Sequence, residues 1–342
     1  MAAGSSTTAD DEFVQLAGPY RSELLAHCYR MLGSVHDAED LLQETLLRAW
    51  RSYGNFEGRS SIRTWLYRIA TNACLRALEN RSRRPLPSGL GEPTENPDGP
   101  VPVLHLDVPW LQPFPDALAG GADDPASVVA GRASMRLALI AALQYLPPRQ
   151  RAVLILRDVL GWHAAETAEL LGVSTAAANS VLQRARAQIA SLEPAEEDIA
   201  EPADPKLKEL LTGYAAAFET ANVGRLVELL RADAVLEMPP MAMWFAGRDR
   251  VIRFLQRRVL VRPGEFALTP VRANGQPAFA AYMRGPAGQL EAHAIQVLTV
   301  TGGGIGRIVS FNDRGLFRAF GLPDSPPIGR QADSPLARLR ND

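Results

Sequence analysis

The sequence predicts a multidomain protein, with two all-α domains followed by a C-terminal α+β domain. Apolar residues recur at every third or fourth position through most of the first 192 residues, which indicates helices. Beyond residue 205, amphipathic helices give way to short β-type runs separated by Gly and Pro. With 342 residues, the chain is long enough for two or three domains with separate cores.

Composition divides the chain into seven segments. Residues 1–12 are polar and acidic, and we expect them to form a disordered tail. The segments that follow are helical domains at 13–84 and 125–192, a Pro/Gly-rich linker at 85–124, an acidic hinge at 193–205, the α+β domain at 206–320 and a tail at 321–342.

Charge is distributed unevenly, although the formal net charge is only −2. Residues 13–84 contain eleven Arg against seven acidic residues, and residues 131–192 contain seven Arg against three. The connecting segments 85–130 and 193–205 contain acidic residues but neither Lys nor Arg. Two basic blocks separated by acidic connectors favour two modules that bind a polyanion.

Other classes of protein are disfavoured. Cys28 and Cys74 lie in helical patterns without metal-ligand spacing, which predicts buried free thiols, no metal site and no cofactor. The N-terminus does not resemble a signal peptide, and no apolar run approaches the ~20 residues of a membrane span. We therefore expect a cytoplasmic protein without a membrane segment.

The stretch from Asp37 to Arg84 organises the first domain. Ser34 begins an acidic amphipathic helix, and a basic helix containing aromatic residues begins near Ser60 or Ser61. The spacing of Trp65 with its apolar neighbours favours a core position, so Asn72 and the loop at 56–61 are the stronger candidates for base contacts.

Opening a DNA duplex requires positive charge for the backbone and flat groups that replace base stacking. It also requires a pocket for any base that leaves the stack. The loop and the basic helix supply such groups in Phe56, Arg59, Ser60, Ser61, Arg63, Trp65, Arg68, Asn72 and Arg76.

The second helical domain contains a predicted helix-turn-helix. Helix Trp162–Leu171 is followed by the turn Gly172-Val173-Ser174 and the helix Thr175–Ser191, with Ser174 placed to cap the second helix. Asn, Gln and Arg on its outer face can read base edges and phosphates. The candidate DNA contacts are Arg149, Arg151, Ser174, Thr175, Ala176, Asn179, Gln183, Arg184 and Arg186. An ordinary helix hairpin with a solvated polar face is the alternative.

The linker and the C-terminal part have their own patterns. The apolar island Val108–Pro115 contains Trp110 and Phe114, which a plain spacer does not need, so we expect a docking segment. Further on, the pattern predicts one long helix at Lys206–Arg231 and another at Arg248–Leu260. Four antiparallel strands are expected at Phe266–Val271, Ala278–Arg284, Leu290–Thr301 and Gly304–Asn312.

Three motifs together resemble the extracytoplasmic-function (ECF) sigma factors, the compact class of bacterial transcription initiation factors. DAEDLLQETLLRAW (37–50) is similar to their core-polymerase-binding helix, and FEGRSSIRTWLYRIATNACLRALENRSRR (56–84) to their segment that melts and reads the minus-ten element. Residues 146–189 resemble their minus-thirty-five-reading helix-turn-helix. The C-terminal part resembles a SnoaL-like (NTF2-like) domain, and the layout is similar to the SigG-like group.

This resemblance implies functions for the motifs. Core RNA polymerase, through its β′ clamp helices and β flap, and promoter DNA would be partners, and an anti-sigma factor is a further expected partner. The loop at 56–61 and Asn72 would hold a flipped minus-ten base, Arg184 and its neighbours would enter the major groove, and the acidic linker would thread the polymerase channel. The implied polymerase contacts are Asp37, Glu39, Asp40, Leu41, Gln43, Glu44 and Trp50.

By the same resemblance, the C-terminal domain would surround a pocket that could take a small-molecule ligand. The expected pocket residues are Tyr214, Phe218, Met238, Trp244, Tyr282, His293, Phe311 and Asn312. Relatives of this domain use a His, Asp or Glu base, for which His293, Glu237 and Asp313 are candidates. Because His293 alternates with apolar neighbours, a pocket or core histidine is favoured over a catalyst.

We therefore expect a sigma factor without enzymatic activity, whose C-terminal domain regulates it in cis. One alternative is a one-component, ligand-responsive regulator that binds DNA without polymerase, although it leaves Asp37–Trp50 unexplained. The other alternative is cyclase or isomerase activity in the C-terminal domain.

Overall fold

Two compact units make up the computed structural model, which describes residues 4–79, 81–100, 103–120, 131–192 and 204–326. The first unit comprises Met1–Arg84 and Asp116–Ala195, and the second comprises Pro85–Pro115 and Glu196–Asp342. None of the described helices has the length and apolar character needed to cross a membrane. The predicted hinge, apart from residues 204 and 205, and the tail beyond residue 326 lie outside the described residues.

The N-terminal half of the first unit is a four-helix subdomain. Its helices are α1 (Gly4–Ala17), α2 (Arg21–Leu32), α3 (Val35–Ser52) and α4 (Ile62–Leu78). Ser34 caps α3 by accepting a hydrogen bond from the Asp37 amide at 3.2 Å, and Ser61 caps α4 by accepting one from the Thr64 amide at 3.1 Å. Both predicted helix starts are thereby confirmed.

Part of the tail that the sequence predicts to be disordered, residues 4–12, is helical, because α1 begins at Gly4. Phe13 and Ala17 are buried, and the Phe13 ring lies 5.5 Å from the Tyr53 ring. The Tyr53 hydroxyl also donates to Glu12 at 3.1 Å. These tertiary contacts anchor a helix whose composition alone favours disorder.

The other half of the first unit is the helix-turn-helix subdomain. It contains α5 (Leu137–Leu143), α6 (Pro148–Leu154) continued by a π-turn at Ile155–Val159, α7 (Ala164–Leu171) and α8 (Thr175–Ser191). Gly172 ends α7 with a left-handed φ of 65°. Ser174 accepts a hydrogen bond from the Ala177 amide at 3.2 Å, so the predicted cap of α8 is confirmed.

The second unit packs helices against a mixed sheet. Its elements are α9 (Pro205–Glu219), α10 (Val223–Leu229), β1 (Leu230–Glu237), β2 (Trp244–Ala246), α11 (Arg248–Phe254) with a π-turn at Leu255–Val259, β3 (Phe266–Ala273), β4 (Gln276–Arg284), β5 (Leu290–Thr301), β6 (Gly304–Phe311) and α12 (Leu316–Ala319). The strand order is β2-β1-β6-β5-β4-β3, and only the β1–β6 pairing is parallel among these described strands.

Two expectations for this unit are wrong. The single helix predicted at 206–231 is two helices, because Asn222 starts α10 by accepting a hydrogen bond from the Arg225 amide at 3.1 Å. The four-stranded antiparallel sheet has six strands, since β1 and β2 were missed. Leu230 continues the apolar period of α10, so the sequence alone does not separate it from the helix, whereas the pairing of β1 with β2 and β6 defines the strand.

The apolar island of the linker, which the sequence predicts to be a docking segment without indicating its partner, packs within this unit. Trp110, Leu111 and Phe114 are buried. The Phe114 amide donates to Asn274 Oδ1 at 2.9 Å, and the Asn274 amide donates back to the Phe114 carbonyl oxygen at 2.9 Å. The island therefore packs at the edge of the sheet beside β3, where Pro115 also forms an antiparallel bridge with Ala273.

Candidate functional site

An exposed stripe lies along α3. Asp40, Gln43, Leu47 and Trp50 recur at spacings of three and four, so they share one face of the helix. Leu47 is 53% exposed and Trp50 is 44% exposed. Large apolar side chains exposed together indicate a binding surface. We call these four residues the α3 stripe.

Sequence reasoning missed Leu47 and included two residues that serve the fold. Leu41 is buried in the helical core, so a polymerase contact through its side chain is wrong. Asp37 accepts a hydrogen bond from Arg84 at 2.6 Å and a second from Arg81. The spacing of Leu47 from Asp40 and Trp50 was the available signal.

The other two predicted polymerase contacts lie beside the stripe. Glu39 is partly exposed, and Glu44 forms an ion pair with Arg48 on the next turn of α3. Both carboxylates remain accessible to a partner.

Aromatic rings line the loop before α4. Phe56 packs on Trp65 with ring centroids 4.9 Å apart, and on Tyr53 at 6.5 Å. Trp65 is only partly buried, so the predicted core position is wrong, and the fully buried neighbours are Leu66 and Tyr67. The loop therefore presents a short stack of rings at the surface.

Asn72 and Arg76 are exposed one turn apart on α4. Together with Arg48, Pro148 and Arg149 they line a groove within the first unit. An amide and guanidinium groups in one groove can bind a base edge and neighbouring phosphates. This arrangement suits an unstacked base.

Other predicted basic residues are already engaged. Arg63 donates to the two carboxylate oxygens of Glu23 at 3.0 and 2.9 Å, and it lies 5.0 Å from the centre of the Tyr67 ring. Arg68 donates to Glu169 of α7 at 2.7 Å. Arg63 therefore stabilises the fold, and Arg68 joins the two subdomains.

The loop residues Arg59, Ser60 and Ser61 have less fixed surroundings. Arg59 is highly exposed and pairs with its neighbour Glu57. Ser61 serves as the cap of α4, and Ser60 is partly exposed beside it. The structure thus leaves Arg59 as the accessible positive charge of this loop.

The helix-turn-helix presents the expected polar face. The inner face of α8 is buried through Ala178, Leu182 and Ala185, and its opposite face is exposed. Its exposed residues are Thr175, Ala176, Asn179, Gln183, Arg184 and Arg186. Arg186 forms a two-point ion pair with Asp158, at 2.9 and 2.6 Å.

The predicted phosphate contact of Arg151 is wrong. This side chain is 3% exposed and donates to Gln144 Oε1 at 2.9 Å, to the Gln144 and Leu146 carbonyls at 3.2 Å, and to the Met31 carbonyl. Burial lowers its pKa to about 10. Arg149, two residues earlier, is exposed on the outer face of α6 and can reach DNA.

A cavity of about 740 Å³ opens in the second unit. Four predicted pocket residues line it, namely Phe218, Met238, His293 and Asn312. Burial, together with the charge of Arg314, lowers the pKa of His293. His293 therefore presents a neutral imidazole at neutral pH.

Four other predicted pocket residues lie elsewhere. Tyr214 is buried and donates to the lining residue Gln296 at 3.0 Å, while the Trp244 indole donates to the Gly91 carbonyl at 2.9 Å. Tyr282 packs on Phe317 and donates to the Pro323 carbonyl at 3.1 Å. Phe311 pairs with Ile295 in the sheet and is not among the lining residues.

The carboxylates considered as bases are also outside the cavity lining. Glu237 is buried, accepts a hydrogen bond from the Ser88 amide at 2.9 Å and pairs with Arg307. Asp313 accepts a hydrogen bond from the Gly315 amide at 2.9 Å in a surface turn. Both carboxylates thus serve local structure.

Comparison with known proteins identifies the family. Residues 16–84 match Sigma-70 region 2, residues 136–189 match Sigma-70 region 4, and residues 211–310 match the SnoaL-like domain. The chain is 52% identical over 310 residues to the ECF RNA polymerase sigma factor SigG of Mycobacterium tuberculosis (strain ATCC 25618 / H37Rv), covering 90% of this chain and 83% of that protein. The chain belongs to the ECF RNA polymerase sigma factors.

A second ECF sigma factor shows the same three-domain layout. SigJ of M. tuberculosis is 30% identical over 241 residues, covering 69% of each chain. Its crystal structure aligns with a TM-score of 0.56 and 25% identity, over 92% of this chain and 99% of that one. The predicted fold class is confirmed: two helical sigma regions precede a SnoaL-like domain.

Region 2 and region 4 identify the partners as core RNA polymerase and promoter DNA. The protein is therefore an initiation factor and not an enzyme. Because region 2 is present, a regulator that binds DNA without polymerase is excluded.

Proposed function

We propose that the α3 stripe is the polymerase-binding surface of region 2, and that the loop at 56–61 with Asn72 captures a flipped minus-ten base. The exposed face of α8 reads the minus-thirty-five element in the major groove. The observation that carries this assignment is the exposure of Leu47 and Trp50 on a helix whose opposite face is buried. The protein acts in the cytoplasm, with polymerase and the chromosome, and an anti-sigma factor stays a prediction.

The SnoaL-like domain regulates the sigma regions in cis through the linker between them. Residues 85–115 belong to the second unit, where Trp110 and Phe114 are buried. By the resemblance to ECF sigma factors, this linker would thread the polymerase channel. To do so, it must first leave the SnoaL-like domain. Holding the linker therefore limits how readily the sigma regions engage polymerase and promoter together.

Run-off transcription with core polymerase tests both statements. Full-length protein should direct initiation from its promoter, and a chain truncated after Leu192 should change the output by severalfold. Reversing the charge at Asp40 and Glu44 together should abolish polymerase capture by either form. Identical output from the full-length and truncated chains would refute regulation in cis, whereas loss of initiation in both would refute the sigma-factor assignment.

A further inference from the structure

The cavity in the second unit has mainly apolar walls. Thioether and aromatic side chains contribute to these walls, from Phe218, Met238, Met241, Met243, Phe254 and Phe266. Its volume of about 740 Å³ lies in the range of pockets that enclose a drug-sized molecule. Methionine and aromatic side chains adapt well to flat apolar ligands.

One end of the cavity is polar. Tyr214 donates to Gln296 Oε1 at 3.0 Å, which orients the Gln296 amide and directs its N–H groups away from that bond. Ser310, directly opposite Gln296 across the β5–β6 pairing, forms a 3.0 Å hydrogen bond with Asn312 Oδ1. Neutral donors and acceptors therefore cluster at this end.

A bulge in β5 contributes a further polar lining residue, His293. Tyr282 pairs with Ala292 and Ala281 pairs with Ala294, which leaves His293 as the extra residue. Bulges redirect a side chain that strict alternation would send elsewhere. His293 lines the cavity and its ring lies 5.9 Å from the Phe266 ring, so strand register brings one more neutral polar group to the cavity wall.

A strap from the linker closes another side of the cavity. We call residues 94–100 and 103–105 the roof. The Thr94 amide donates to the Trp244 carbonyl at 2.7 Å and the His105 amide donates to the Pro240 carbonyl at 2.9 Å. Arg258 donates to the Gly99 carbonyl at 2.7 Å, and Arg253 pairs with Asp98.

We propose that this cavity binds an uncharged, largely apolar small molecule with one hydrogen-bonding polar group, and that the bound molecule holds the roof closed. Arg258 is the only Arg, Lys, Asp or Glu among the described lining residues, and it is bonded to the roof. A charged ligand would lose hydration without an opposite charge at the polar end. Roof residues Thr94, Pro97 and Val103 line the same space, so a ligand contacts both sides.

Nile red, a neutral apolar dye with one carbonyl group, is a suitable probe for the full-length protein. We expect saturable one-to-one binding with a blue-shifted emission. Ala242→Trp fills the cavity from a loop and should weaken binding at least about tenfold. Ala216→Trp, on the exposed face of α9, is the matched control and should leave binding unchanged.

A second variant keeps the proposal testable if Ala242→Trp fails to fold. Gln296→Leu combined with Tyr214→Phe removes the amide together with the buried hydroxyl that donates to it, so no buried donor is orphaned, and this double variant should weaken dye binding about fivefold in a protein that stays folded. Dye binding that does not saturate, or that Ala242→Trp leaves intact in a folded protein, would overturn the site. The measurement uses neither DNA nor polymerase, so its failure is separate from any failure of the proposed sigma function.

Hydrogen exchange tests the link to the roof. With saturating Nile red, the amides of the roof should exchange at least about fivefold more slowly, because the dye contacts Thr94 and Val103 as well as the sheet. Asp98→Asn should raise the dissociation rate of the dye, since it weakens the pair with Arg253. Unchanged roof exchange in the dye-bound protein would overturn the closure.

Discussion

Arg151 of region 4 donates a hydrogen bond to the main-chain carbonyl oxygen of Met31 in region 2. Nearby, Arg30 donates to Ser134 at 2.9 Å and the rings of Tyr67 and Trp162 meet edge to face at 5.4 Å. The two sigma regions are thus packed against each other. Promoter elements named minus-ten and minus-thirty-five are about 25 base pairs apart, roughly 80 Å of B-DNA. We therefore expect this packing to open when the sigma regions read both elements.

Replacing Arg151 should lower the stability of the first unit more than its affinity for DNA. In Arg151→Met, four buried oxygen acceptors lose their donor, which should cost about 2–4 kcal/mol of unfolding free energy. Arg149→Met removes an exposed charge and should leave the melting temperature unchanged while reducing the salt dependence of promoter binding. Thermal unfolding and salt titrations of DNA binding distinguish the two variants. A stable Arg151→Met with weakened DNA binding would restore the phosphate role.

Breaking the pair between Arg68 and Glu169 should strengthen promoter binding. Glu169→Gln releases Arg68 for phosphate, and because surface pairs are weak, the gain should not exceed about fivefold in affinity. Arg68→Ala should instead weaken binding. Fluorescence anisotropy with a promoter duplex measures both. Glu166→Gln removes an equal charge from α7 and is the control. If it increases promoter affinity as much as Glu169→Gln does, the increase comes from reduced repulsion between α7 and DNA and not from the release of Arg68.

Removing the apolar part of the α3 stripe should weaken polymerase binding without unfolding region 2. Leu47→Ala and Trp50→Ala should each reduce affinity for core polymerase about tenfold, as expected for central contacts of an interface. Val14→Ala, which is exposed on α1, is the matched control. Pull-down with core polymerase gives the comparison. Full affinity in the Leu47→Ala, Trp50→Ala double variant would place the interface elsewhere.

Undocking the linker should destabilise the second unit. Phe114 is fully buried, so Phe114→Ala should cost about 3–5 kcal/mol through the lost burial and the cavity left behind. Leu106→Ala lies in the same linker but is 78% exposed, and it should be neutral. Denaturant unfolding of the two variants tests this. Equal stability would mean that the island is not part of the core.

The helix starts were predictable from local sequence, because the side chains of Ser34, Ser61 and Ser174 each accept a hydrogen bond from the backbone amide three residues later. The polar face of α8 followed equally from helical spacing. Interactions between distant segments were not visible in this way. Burial of Arg151 depends on a carbonyl 120 residues away.

Strand pairing explains the errors in the pocket. The resemblance to SnoaL-like domains placed Tyr282 and Phe311 in the pocket, but neither residue is part of the cavity lining in the paired sheet. His293 has the opposite history. Its alternation with apolar neighbours along the strand favoured a pocket or core position, and the bulge at this residue interrupts that alternation. A single inserted residue moves the side chains that follow it to the opposite face of the sheet. The position of such a bulge is defined by the pairing with the partner strand.

Mild acid should destabilise region 2 through His27. This side chain is fully buried, with Nε2 2.9 Å from Thr71 Oγ1, and burial, with a smaller effect from Arg30, lowers its pKa from 6.5 to about 3. The unfolded chain therefore binds a proton below pH 6.5 that the folded chain does not bind until about pH 3. The stabilising contribution is complete above pH 6.5 and is lost as the pH falls through this window. At pH 5 the loss should be about 2 kcal/mol.

Native-state hydrogen exchange of the α2 amides between pH 7.5 and pH 5 measures this loss locally. His27→Gln cannot take up a proton, so its opening free energy should change less with pH than that of the wild type. The glutamine keeps a hydrogen-bonding group near Thr71, so the variant should fold. An equal decrease in both proteins would assign the acid sensitivity to other groups. A smaller decrease in His27→Gln alone would identify the neutral buried imidazole as its source.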